Sequence, residues 1–79
     1  MKHKVKFTFP PKLVQEPIIY KLGVDFHVVT NIRRADVDDT QGWVIMELDG
    51  KESDIKRGLE WVRQKGVRVD PISGDVVEG

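Results

Sequence analysis

The stretch Val28-Val29-Thr30-Asn31-Ile32-Arg33-Arg34-Ala35-Asp36-Val37-Asp38, followed after a turn by Trp43-Val44-Ile45-Met46-Glu47-Leu48, decides the fold. β-branched residues dominate the first run, and the second alternates cleanly, with Val44, Met46 and Leu48 on one face and Trp43, Ile45 and Glu47 on the other. The first run breaks its own parity. Val28, Thr30 and Ile32 share a face, whereas Ala35 and Val37 fall on the opposite count. A bulge between Ile32 and Ala35 restores all five to one face. Thr40-Gln41-Gly42 reads as the turn between two consecutive strands.

Working outward, helical patterns flank this pair. On the N-terminal side Val14, Ile18, Leu22 and Phe26 recur every four residues, which makes one apolar stripe. Pro17 is placed in the first turn, so the helix is expected from about Gln15 or Glu16 to His27, with Gly23 as a weak interior residue. On the C-terminal side Ile55, Leu59 and Val62 line a second helix, with Gly58 on the same side. Ser53 is its expected N-cap and Gly66 its left-handed exit, with Lys65 near the negative end. Further out lie Val5, Phe7 and Phe9, alternating with Lys4, Lys6 and Thr8 and stopped by Pro10-Pro11, and a short run at Val67 and Val69 limited by Pro71.

The order strand, helix, strand, strand, helix, strand is the ferredoxin-like α+β arrangement. It predicts a four-stranded antiparallel sheet in the order 4-1-3-2, with two helices on one face. The expected core sets Val5, Phe7, Phe9, Val44, Met46, Leu48, Val67 and Val69 against Ile18, Leu22, Ile55, Leu59 and Val62. One domain over residues 1–72 is expected, with a polar tail at 73–79 and room for a brief strand at Val76-Val77.

Composition narrows the function. The chain has 79 residues, 13 Lys plus Arg against 13 Asp plus Glu, and no Cys. Zero net charge argues against general binding to nucleic acid or anionic membranes, which draws on excess positive charge. The absence of Cys excludes disulfides and thiolate metal sites. No apolar run is long enough to cross a bilayer, and no apolar signal region follows the basic start, so a cytoplasmic location without membrane insertion is expected.

A set of ordered pieces is more specific. Phe7-Thr8-Phe9-Pro10, Glu16-Pro17-Ile18-Ile19-Tyr20-Lys21-Leu22, Asn31-Ile32 ahead of Arg33-Arg34-Ala35, Glu47-Leu48-Asp49-Gly50 and Gly66-Val67-Arg68-Val69 together resemble the NIL domain, from about Lys4 to Ile72. That family is named for an Asn-Ile-Leu triplet, where this chain has Asn31-Ile32-Arg33. At the helix exit, where members often carry Gly or Asn, it has His27.

The resemblance implies a non-catalytic module in one of two settings. One is the end of methionine-type ABC importer ATPase subunits, where the domains pair, bind the transported amino acid and restrain transport. The other is fusion to a four-iron ferredoxin module in sulfur metabolism, to which the Asn31–Ala35 stretch and the Asp70-Pro71-Ile72 ending look closer. Lacking cluster cysteines and a phosphate-binding loop, the chain reads as a stand-alone NIL protein or a piece of a longer one. The implied partners are a second copy, a small sulfur amino acid, and a larger transporter or ferredoxin. No cofactor, catalytic residue or metal ligand is expected.

Site candidates follow. Asn31, with Ile32 and Arg33 beside it, is the expected ligand contact, because an amide offers donors and acceptors to an amino acid and the matching Asn of the transporter members lies at their ligand site. The alternative is that Asn31 satisfies backbone groups at the bulge. Arg33 and Arg34 either clamp a carboxylate or pair with Asp36 and Asp38. Trp43 and Ile45 are the expected interface residues on the open sheet face, unless Lys and Arg stems simply cover them. Asp36-Val37-Asp38-Asp39-Thr40 matches by letters the D-x-D-x-T of haloacid-dehalogenase-type phosphatases, but its place between two strands makes it a solvated turn.

Two other functional readings compete. An RNA-binding module shares the strand and helix order, yet stacks bases on outer-face aromatics, where this first strand has Lys6 and Thr8. A purely structural dimerisation or docking module needs no ligand. An acylphosphatase-like enzyme would need a phosphate-cradling loop after strand one, where Pro10-Pro11 supplies no N–H groups.

Overall fold

The computed structural model describes residues 2–72. The expected tail and the strand at Val76-Val77 lie outside the described residues. The elements run β1 Lys2–Phe9, a 3₁₀ turn Pro11–Leu13, α1 Ile18–Phe26, β2 Val29–Val37, β3 Gly42–Asp49, α2 Glu52–Lys65 and β4 Arg68–Pro71. The sheet order is β2-β3-β1-β4, antiparallel throughout, which is the expected 4-1-3-2 read from the other edge.

Alternation in the two central strands builds the floor of the core. Val5, Phe7, Phe9, Val44, Met46 and Leu48 are buried on one face, and Ile18, Leu22, Ile55 and Val62 close over them from the helices. Leu13 and Val28 also belong to this core, Val28 on the face its alternation with Thr30 and Ile32 assigns and Leu13 from the 3₁₀ turn, off the helical stripe. Leu59 and Val69 are only partly buried at its margin. Trp61 borders it as well, its ring 5.5 Å from that of Phe26, with Lys65 reaching over the outer side.

The first helix starts later than the stripe suggests. Pro17 is its N-cap rather than a first-turn residue, and Val14 packs from the preceding loop. A proline disfavours helical geometry in the residue before it, which favours a start after Pro17 over one at Glu16. The exit falls at His27, which adopts the left-handed conformation with φ 58° and ψ 41°. In the second helix Lys51, not Ser53, is the N-cap, without a side-chain cap. Ser53 lies within the first turn, where Glu52 and Asp54 complement the helix dipole instead. Gly66 ends this helix with φ 108°, its N–H donating to the Arg63 carbonyl at 3.0 Å.

Gly58 faces α1 at close range: a Cβ there would lie 2.5 Å from Leu22 Cδ1, so the Leu22 side chain would have to shift to admit one.

Candidate functional site

β2 is an edge strand, and every residue from Asn31 to Val37 is exposed. Its pairing with β3 shifts register between Ile32, opposite Met46, and Arg34, opposite Ile45. The inserted residue is Arg33. This is the bulge expected from the parity break, and it keeps Thr30, Ile32, Ala35 and Val37 on the helix-covered side of the sheet.

The other side of β2 joins the open face. Asn31 lies opposite Glu47, Arg34 opposite Ile45, and Asp36 opposite Trp43. Across β3 the rows continue to Lys4, Lys6 and Thr8 of β1, and onward from Lys6 and Thr8 to Asp70 and Arg68 of β4. Acidic and basic residues are thus mixed over this face, with Trp43 and Ile45 between them. Arg33 joins it too, its Nη1 3.8 Å from Glu47 Oε1. The partner of this bulge arginine is thus Glu47 on the adjacent strand, not Asp36 or Asp38. Trp43 and Ile45 are half-buried on the same face, with the Lys6 ammonium over the Trp43 ring, its Nζ 5.2 Å from the ring centre.

The ligand triplet does not converge within one chain. Asn31 and Arg33 project to the open face, while Ile32 projects to the helix side and is still 54% exposed. Asn31 and Trp43 also stay apart, four positions along β3 separating their rows.

Two hollows lie at the other end of β2. On the open face Thr8, Asp36, Asp38, Gln41 and Trp43 line a polar one of about 170 Å³. On the helix side an apolar cleft of similar size runs between Pro17, Ile18 and Tyr20 and the strand residues Val37 and Val44. Val37 and Tyr20 are exposed there. The sequence reading placed neither at a site, although Val37 carried the signal as an apolar residue at the far end of an edge strand.

Asp38 is a turn residue. Its Oδ1 accepts from the Thr40 N–H at 2.8 Å, the Gln41 N–H at 2.9 Å and the Thr40 hydroxyl at 2.9 Å. These donors, the two backbone groups foremost, hold its carboxyl below the usual carboxylate range. Among the described residues no group of three His, Asp or Glu side chains is placed to hold a metal ion. Phe7 and Phe9 are buried, so the aromatics of β1 offer no base-stacking platform.

The sequence model of the NIL domain family matches residues 3–71. The chain belongs to the NIL domain family. Among curated proteins this NIL domain is 34% identical over 61 residues to the L-aspartate semialdehyde sulfurtransferase iron-sulfur subunit of Methanosarcina acetivorans, covering 76% of this chain and 47% of that protein. It is 25% identical over 72 residues to the methionine import ATP-binding protein MetN of Lacticaseibacillus paracasei, covering 86% of this chain and 21% of that one. The chain thus spans about half and about a fifth of these relatives. The C-terminal domain of an ABC transporter ATP-binding protein from Enterococcus faecalis shares the fold, with a TM-score of 0.79 at 21% identity, over 91% of this chain and 84% of that one. No described helix of the NIL domain is long and apolar enough to cross a membrane.

Proposed function

We propose that this NIL domain is a non-catalytic regulatory module that works in the cytoplasm, pairs with a second copy and binds a small sulfur amino acid. Its kinship to a methionine importer ATPase and to an iron-sulfur subunit supports a role in methionine transport or sulfur metabolism, with a transporter or ferredoxin-type protein as the larger partner. One observation carries the reading: the bulge in β2 presents Asn31 and Arg33 together on the open side of an exposed strand, with Glu47 beside them. An amide, a guanidinium and a carboxylate are the groups that recognise an amino acid's charged ends. Because Arg33 projects outward, it adds a cation to the site without entering an apolar subsite. For such a domain to regulate, the ligand must bind one arrangement of the assembly better than another.

Titration calorimetry with methionine, homocysteine and aspartate tests this. Heat with a sulfur amino acid, weakened in Asn31→Ala by on the order of 1 kcal/mol or somewhat more, is the expected result. No heat with any of the three from a folded, paired domain would leave only a docking role.

A further inference from the structure

The outer surface of the two helices lies away from the ligand contacts on the sheet. Between the helices is an open hollow of about 470 Å³, against about 170 Å³ for each hollow at β2. Phe26 of α1 and Lys56, Arg57, Glu60, Trp61 and Gln64 of α2 line it. The α2 residues fall in two rows, Lys56-Glu60-Gln64 and Arg57-Trp61, because side chains four apart share a helix face. Both rows point away from the buried positions Ile55 and Val62.

This surface combines two properties. Its floor is aromatic. The Phe26 and Trp61 rings lie 5.5 Å apart, tilted by 42°, and each is only partly buried against the core. Its rim is basic. From Ile55 to Gly66 the chain carries Lys56, Arg57, Arg63 and Lys65 against Glu60 alone, although its total charge is balanced. The two acids of the first turn are already engaged, Glu52 by His3 at 3.0 Å and Asp54 by Arg57 at 2.8 Å. Among the described residues Lys56 has no such partner.

Aromatic floor and basic rim together select the occupant. The hollow is too open to enclose a small molecule, which needs most of its surface buried. A nucleic acid would stack a base on the indole, but Phe26 and Lys65, whose Nζ is 5.8 Å from the ring centre, already lie against Trp61. Glu60, in the row between Lys56 and Gln64, would also repel a phosphate chain. An amphipathic helix suits both features, since its apolar side chains enter a groove and its flanking carboxylates meet the cations.

We propose that the outer groove between α1 and α2 docks an acidic amphipathic helix of a partner protein. A large apolar side chain of that helix sits on Phe26 and Trp61, and its carboxylates lie beside Lys56 and Lys65. The proposal draws on neither the amino-acid ligand nor the self-pairing proposed above.

The two tryptophans control the test internally, since Trp61 lines the groove and Trp43 lies on the open sheet face. The probe is a capped peptide of about four helical turns, with Leu at the i, i+4, i+7 spacing and Glu over the other faces. Followed by NMR on the isotope-labelled chain, it should shift the Trp61 indole N–H signal and the amides from Lys56 to Gln64, and leave the Trp43 indole in place. Lys56→Glu/Lys65→Glu changes two exposed residues, so circular dichroism should show the fold intact while binding weakens roughly tenfold. Exchanging every Leu of the peptide for Ala should abolish the shifts. No Trp61 shift at about 1 mM peptide, equal binding of the Ala peptide, or equal binding of a peptide with Lys in place of Glu would each overturn the proposal. So would a stronger Trp61 response to an oligouridylate, which would make the groove a nucleic-acid surface.

Discussion

His27 closes the first helix in a conformation that L-residues adopt at a cost of roughly 1–2 kcal/mol. Glycine takes it freely but loses more chain entropy on folding, roughly 0.5–1 kcal/mol. The difference predicts that His27→Gly stabilises the domain by about 0.5–1 kcal/mol, read as a higher urea midpoint with an unchanged slope. A lower midpoint would mean that the imidazole makes a stabilising contact. Asp38 governs a second residue-scale effect. Its carboxylate accepts three hydrogen bonds and is held below the usual range, so what it contributes is present above the ordinary carboxylate pKa. That contribution fades as pH falls from about 4 through the lowered value. The amide signals of Thr40 and Gln41 should therefore titrate together below the usual carboxylate midpoint. A midpoint at or above it would contradict the turn geometry.

The elements show how much of this fold the sequence displayed. β2 was readable through its defect, since the parity break between Ile32 and Ala35 has one economical explanation and the register shift is where it had to be. The ends of α1 were harder. Its apolar stripe continues through Val14, because a loop that packs on a core obeys the same hydrophobic demand as a helix. Only the backbone restriction before Pro17 separates the two. Ser53 misled for a related reason. Capping preference is a tendency, and the helix begins one residue after Lys51, before Ser53 is reached. The candidate site was legible in composition but not in place. Alternation assigns Asn31 and Trp43 to one face, yet the distance between their rows depends on register, which no single strand carries.

At the scale of the whole molecule, burial ranks the core positions. Ile55 is 1% exposed and central, so Ile55→Ala should cost about 2–5 kcal/mol. Leu59, one turn further along the same helix, is only partly buried, and its truncation should cost roughly half as much. For a domain of this size each kcal/mol lowers the thermal midpoint by about 4–8 °C, which makes the two readily distinguishable by calorimetry. Equal losses would show that the stripe, rather than the depth, sets the energetics. The inequality of the two sheet edges has a further consequence. A sheet with two good edges is a monomer for polymerisation, because each addition leaves a fresh end. Here one edge is nine residues long and the other is four, stopped by a proline. If two copies pair as proposed and do so through the long edge, that edge is consumed in both, and the described outer edges are then the short, proline-stopped strands, which disfavours growth by further strand addition.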